Sequence, residues 1–175
     1  LRGGVAYARL SRVCGTFTRE GDVFKGGASP ADLQAFDGLV KEWRRAGIER
    51  LREGEPLDVT AQKMRNRLSD HRVETLKDAD QSIAVVPDLG GRILEWSAFG
   101  QQWLAQPDPD NVWNLYPMSE GYVEFAVLGM YSYRGWSEPY RASCRGRELT
   151  LSADLGPDLH LKRKLFFHDG GLHVF

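Results

Sequence analysis

The sequence predicts an α+β protein in which an N-terminal strand and helices precede a mainly antiparallel β-sandwich. Three observations favour this fold class. A helix start at Ser29-Pro30 is followed by apolar residues at helical spacing, from Leu33 to Leu51. Turn signals then recur at short intervals after His71, and apolar and polar residues alternate from Glu148 to His168. Such alternation is typical of strands with one buried and one solvated face.

The N-terminal segment is predicted to be a strand, a loop and a helix. Residues 5–13 begin with an apolar run and read as a short strand, and the glycine-rich stretch 14–28 reads as a loop. Ser29 can cap a helix, and Pro30 suits its first turn. We expect this helix to run to about Arg52, with a bend or break at Gly47. The domain prediction is residues 1–56 for this segment, 57–70 for a linker or short helix, and 71–175 for the sandwich.

The sandwich region contains a regular succession of strands and turns. We expect strands at 71–76, 82–86 and 92–99, with a turn at 87–91 between the last two. Two longer strands, 148–153 and 159–167, place leucines on one face, with Arg163 as the exception on that inner face. The opposite face of the second strand carries His160, Lys162, Lys164 and His168, most simply as an exposed surface.

Composition excludes several classes of protein. The formal net charge is -1, so no overall field recruits nucleic acid. No apolar run approaches the roughly 20 residues of a membrane-spanning helix, and we expect no membrane partner. Cys14 and Cys144 lie far apart, which argues against a zinc site and favours two buried thiols. We expect neither a metal nor a cofactor.

Four motifs, taken in order, resemble the beginning of a galactose-mutarotase-like (aldose 1-epimerase-like) domain. The first is the strand, double glycine and arginine of residues 83–93. The second is Trp113-Asn114 followed by Glu120 to Phe125, and the third is residues 135–140. The fourth is the pair of leucine-rich strands. The resemblance covers residues 71–175 and implies a supersandwich, truncated here, in a carbohydrate-active protein.

The resemblance also implies a neighbouring domain. The N-terminal strand and helix look like the end of a (β/α)₈ barrel, so we expect attachment to a glycoside hydrolase and an intramolecular contact with that missing domain. The chain starts without Met and ends in a strand-like segment, which indicates an internal fragment. Related proteins are often secreted, and a secreted or periplasmic location fits the resemblance, although the sequence leaves the location open.

The candidate sugar-binding residues combine aromatic rings with charged groups. Sugar sites use aromatic faces against the ring and carboxylates or arginine against hydroxyls. The candidates are Arg92, Trp113, Glu120, Tyr122, Glu124, Trp136 and Glu138. The partner would be a mono- or oligosaccharide. The alternative is that the aromatic residues of 111–140 form sandwich core.

Catalytic residues are not assigned. Mutarotases use an acid His and a base Glu, and no position of this sequence matches either one. Glu120 and Glu124 would lie about 13 Å apart on a strand, too far for a glycosidase pair. The remaining alternatives are a truncated sugar epimerase and a structural accessory domain that binds no sugar.

Overall fold

The computed structural model describes residues 2–14, 18–51, 55–104, 126–127, 133–134 and 138–175. These residues form two compact units, one up to His71 and the other from Arg72 onward. Three α-helices and several antiparallel sheets occur among them, which confirms a mixed α+β composition.

The first unit is built from three helices and a small sheet. The helices are α1 (Arg2–Cys14), α2 (Pro30–Arg45) and α3 (Leu57–Leu68). The strands are β1 (Thr18–Glu20), β2 (Val23–Lys25) and β3 (His71–Arg72), in the sheet order β1-β2-β3. The hairpin of β1 and β2 lies where the sequence predicted only a loop.

The prediction of a strand at residues 5–13 is wrong, because this segment lies within α1. A short apolar run does not distinguish a strand from a buried helical segment. What decides here is packing: Leu10 and Cys14, four residues apart, are both buried, and Tyr7 lies 6.4 Å from Trp43 of α2 between ring centroids. The resemblance of the N-terminal segment to the end of a (β/α)₈ barrel depended on a strand at these residues, and the structure has a helix there instead.

Helix α2 begins as predicted and ends earlier than predicted. Ser29 and Asp32 form a reciprocal capping box at its start. At its end Gly47 has a φ of 75°, and the amides of Gly47 and Ile48 donate to the carbonyls of Arg44 and Trp43. This is the Schellman arrangement, which stops a helix by satisfying its last carbonyl groups. The helix therefore ends at Arg45 and does not continue to Arg52.

The second unit contains two four-stranded antiparallel sheets. One has the order β4-β5-β6-β7, formed by Glu74–Asp78, Gln81–Val86, Arg92–Ala98 and Gln101–Gln102. The other has the order β10-β11-β12-β13, formed by Arg141–Arg145, Glu148–Asp154, His160–His168 and Gly171–Val174. A two-stranded sheet joins β8 (Ala126–Val127) to β9 (Tyr133–Arg134).

The two four-stranded sheets share one hydrophobic core. Ile83, Val85 and Ile93 contribute from the first sheet, and Leu151 and Leu165 from the second. The alternation predicted for β11 and β12 is confirmed, because Leu149, Leu151 and Ala153 are buried while their neighbours are partly exposed. The shared core places the turn after β5 and the inner face of β12 in one packed region.

The two cysteines differ in burial. Cys14 is fully buried in the first unit, as predicted, and Cys144 is exposed on β10. The prediction of two buried thiols is thus wrong for Cys144, because β10 lies at the edge of its sheet and all but one of its residues are exposed.

Candidate functional site

Two of the predicted sugar-binding residues, Arg92 and Glu138, can be placed. Arg92 is the first residue of β6, and Glu138 is partly buried two residues before Tyr140. The other candidates lie outside the described residues: Trp113, Glu120, Tyr122, Glu124 and Trp136.

Arg92 is buried, with only 2% of its surface exposed. The sequence left open whether its guanidinium reaches a ligand or is held by protein groups. A guanidinium removed from water in this way must be satisfied by polar partners nearby. Its burial favours an internal role.

A cluster around Gly91 organises this region, and we call it the Gly91 cluster; it consists of Gly91, Tyr140, Leu151 and Arg163. The amides of Gly91 and Tyr140 both donate to the carbonyl of Pro87, each at 3.0 Å. The Arg163 Nη1 donates to the Gly91 carbonyl at 3.2 Å, and its Nη2 lies 3.5 Å from the Tyr140 hydroxyl. The cluster therefore ties the turn after β5 to β12 and to the residue that precedes β10.

Arg163 contacts both the Gly91 carbonyl and the ring of Tyr140. Its guanidinium carbon lies 5.2 Å from the centroid of the Tyr140 ring, within the range of a cation–π contact. Tyr140 is 4% exposed and belongs to the core, so for this residue the alternative of a core aromatic is correct. The alternation of inward and outward side chains along β12 predicted that Arg163 lies on the inner face, and its burial confirms this.

Gly91 permits the close approach of these groups. Its φ is 61°, and a Cβ atom at this position would lie 2.9 Å from Leu151 Cδ1 and 3.3 Å from Arg163 Nη1. A side chain here would be strained and would displace its neighbours. The double-glycine turn thus allows Arg163 to reach the backbone carbonyl of Gly91.

The outer face of the β10–β13 sheet is a second candidate site. His160, Lys162 and His168 are exposed there, as the sequence predicted. The sequence did not single out Phe166 and Phe175, which share this face. The register that places Phe166 opposite His173 could be obtained only from the pairing of β12 with β13.

A groove of about 380 Å³ between α2 and α3 is a third candidate. Its apolar lining consists of Phe36, Val40 and Ala61. Its polar lining consists of Lys41, Gln62 and two ion pairs, Arg44 with Asp58 and Arg65 with Asp37. These four charged side chains already bind one another, so the groove offers few polar groups to orient a sugar.

The described residues contain no group of three or more His, Cys, Asp or Glu side chains that could hold a metal ion. None of the described helices combines the length and apolar character required to cross a membrane.

Comparisons with protein-family models, curated proteins and solved structures found no match to this chain.

Proposed function

We propose that the unit from Arg72 onward is a galactose-mutarotase-like β-sandwich that binds or positions sugar in a carbohydrate-active protein. Attachment to a glycoside hydrolase is part of this proposal. The two four-stranded sheets with one shared core support the sandwich architecture. Since one fold serves many functions, the sugar-binding part must be argued from the site.

One observation carries the proposal: three of the four motifs of the resemblance meet in the Gly91 cluster. Gly91 comes from the first motif, Tyr140 from the third, and Leu151 and Arg163 from the fourth. The resemblance assigns these segments to one domain, and they pack together in one core. Their convergence supports the interpretation of residues 71–175 as one module.

The cluster also bears on the predicted sugar site. Glu138 precedes Tyr140 by two residues, and Trp136 precedes Glu138 by two more. Tyr140 is fixed by its contacts with Pro87 and Arg163. Glu138 is therefore anchored at a short distance along the chain, and a partly buried carboxylate held in this way suits a sugar hydroxyl.

A glycan array probed with the whole chain tests the proposal. We expect retention of at least one class of oligosaccharide. Replacing Trp136 by alanine should weaken that binding roughly tenfold, because one aromatic face is lost, and Glu138→Ala should weaken it as well. Trp103→Ala is the matched control, since Trp103 is 56% exposed and lies outside the predicted sugar-binding stretch.

Circular dichroism of each variant establishes that it folds. If the folded chain retains no glycan at all, the structural accessory domain becomes the better interpretation. If Trp136→Ala and Trp103→Ala weaken binding equally, the predicted sugar-binding residues are wrong.

A further inference from the structure

The outer face of the β10–β13 sheet carries an unusual aromatic patch. Phe166, His173 and Phe175 have parallel rings, with ring planes 3–8° apart and centroids 5.4–6.2 Å apart. Phe175 is 70% exposed. Phe166 and His173 are partly exposed beside it, so the three aligned rings form one continuous aromatic surface rather than a single exposed side chain.

The backbone register explains how these rings come together. Phe166 is paired with His173 across β12 and β13, and the backbone of Lys164 exchanges two hydrogen bonds with that of Phe175, at 2.7 and 3.0 Å. Directly paired side chains on one face of a sheet lie within contact distance. The patch is thus built into the sheet rather than placed on a loop.

Cationic side chains lie beside the patch on the same face. In the register of the sheet, Arg145 is opposite Glu148, which is opposite Phe166. Lys164 is bound to Glu148 at 3.2 Å. Two same-face positions beyond Glu148 along β11, Ser152 is opposite Lys162 of β12 and Arg141 of β10.

The charges on this face do not balance. Among the described residues of β10, β11 and β12, the carboxylates that share this face with Lys162, Lys164, Arg141 and Arg145 are those of Glu148 and Asp154. Arg141 binds Asp154 at 2.7 Å and Lys164 binds Glu148, whereas Lys162 and Arg145 form no ion pair with any residue that the structure describes. The whole chain has a net charge of only -1, so this positive excess is local.

We propose that this face binds an acidic polysaccharide whose sugars carry carboxylates. The aromatic patch of Phe166, His173 and Phe175 packs against the apolar face of a sugar ring. Lys162 and Arg145 bind the carboxylates of neighbouring sugars, and the hydroxyls of Thr150 and Ser152 lie between the cations. This inference rests on the proposed function and names its ligand class.

Charge complementarity selects this occupant over a neutral sugar. A neutral glycan would use the rings and leave the excess cations without a role. An acidic peptide would use the cations and leave the aligned rings without a partner. Only a ligand with both an apolar ring face and negative charge uses the whole surface.

The test measures binding of the whole chain to an oligogalacturonate by isothermal titration calorimetry. Its methyl ester is the matched ligand, since it has the same rings without the charge, and poly-glutamate supplies the charge without the rings. We expect the ester and poly-glutamate each to bind at least about tenfold more weakly than the oligogalacturonate. Added salt should weaken the binding of the oligogalacturonate, because exposed charges are screened.

Two pairs of variants locate the surface. Lys162→Glu should weaken oligogalacturonate binding roughly tenfold at low salt, whereas Lys77→Glu makes the same charge change on the exposed part of β4 and should have no effect. Phe175→Ala should weaken it about three- to tenfold. Phe99→Ala is its control, because Phe99 is 69% exposed in the turn before β7.

The outcomes separate this inference from the proposed function. If glycans bind but the ester binds as well as the acid, or if the variants and their controls behave alike, the acidic-glycan surface is refuted and the sugar-binding module stands. Equal binding of poly-glutamate also refutes it. If the folded chain binds no glycan in either assay, both proposals fail.

Discussion

Replacing Gly91 by alanine should destabilise the second unit more than the same replacement at Gly146, a glycine with a similar backbone conformation. The positive φ of 61° costs an alanine residue about 1–2 kcal/mol. The new Cβ would lie 2.9 Å from Leu151 Cδ1, and Leu151 is fully buried, so its side chain has no open space into which to move. Overpacking of this kind costs about 1–3 kcal/mol. The expected loss is about 2–5 kcal/mol.

Gly146→Ala isolates the packing contribution. Gly146 has nearly the same φ, 59°, and no heavy atom lies within 4 Å of the position that its Cβ would occupy. Both variants pay the same backbone cost and gain the same reduction of freedom in the unfolded chain. The difference between them, about 1–3 kcal/mol, measures the close approach of Leu151 and Arg163.

Urea unfolding followed by circular dichroism gives both free energies. A Gly91→Ala variant that unfolds within about 0.5 kcal/mol of Gly146→Ala would refute the close packing of the cluster. A double-mutant cycle adds a second test: Leu151→Ala removes the atom nearest to the new Cβ, so its cost should be smaller in the Gly91→Ala background. Strict additivity would show that the two positions are not in contact.

Three further predictions concern Arg163, Asp32 and the two cysteines. Arg163→Met should lower the unfolding free energy by about 2–4 kcal/mol, because it leaves the Gly91 cluster without its charged donor; an unchanged urea midpoint would contradict this. Hydrogen bonds from the Ser29 hydroxyl, the Ser29 backbone amide and Arg9 lower the pKa of Asp32 below its ordinary value of 3.8. Stability from this group is therefore present above about pH 4 and lost as the pH falls below it, and Asp32→Asn should flatten that part of the unfolding profile. Iodoacetamide should label Cys144 in the native chain and Cys14 only after unfolding, as mass spectrometry would detect.

The features that could be predicted from the sequence depend on residues close together along the chain. The helix start predicted at Ser29-Pro30 is confirmed, and the capping box found there needs only Ser29 and Asp32, three residues apart. The alternation of β11 and β12 likewise follows from a period of two. The position of such elements depends mainly on neighbouring residues and little on tertiary contacts.

The features that could not be predicted depend on distant packing. Residues 5–13 form a helix because Leu10 and Cys14 are buried in the first unit, and no local signal distinguishes this from a strand. The parity of β12 placed Arg163 on the inner face, but its partner, the carbonyl of Gly91, is 72 residues away in sequence. The sequence thus placed Arg163 on the inner face and could not identify the group to which it donates.

Arg163 connects the inner core to the outer face through the register of β12. It lies opposite Leu151 in the sheet, a position that an apolar residue could fill at no desolvation cost. A shift of β12 by one residue would expose Arg163 and bury Lys162 and Lys164 instead. Only the observed register gives Arg163 the Gly91 carbonyl and the Tyr140 ring as partners.

The same register aligns the surface proposed to bind acidic glycans. It pairs Phe166 with His173 and sets Lys164 beside Phe175 on the outer face. Because successive side chains of a strand point to opposite faces, a contact that fixes the inner residues also fixes the outer ones. Arg163 therefore acts on the outer face without touching it. Loosening it by Arg163→Met should weaken oligogalacturonate binding together with stability, and strong binding by a destabilised variant would break this connection.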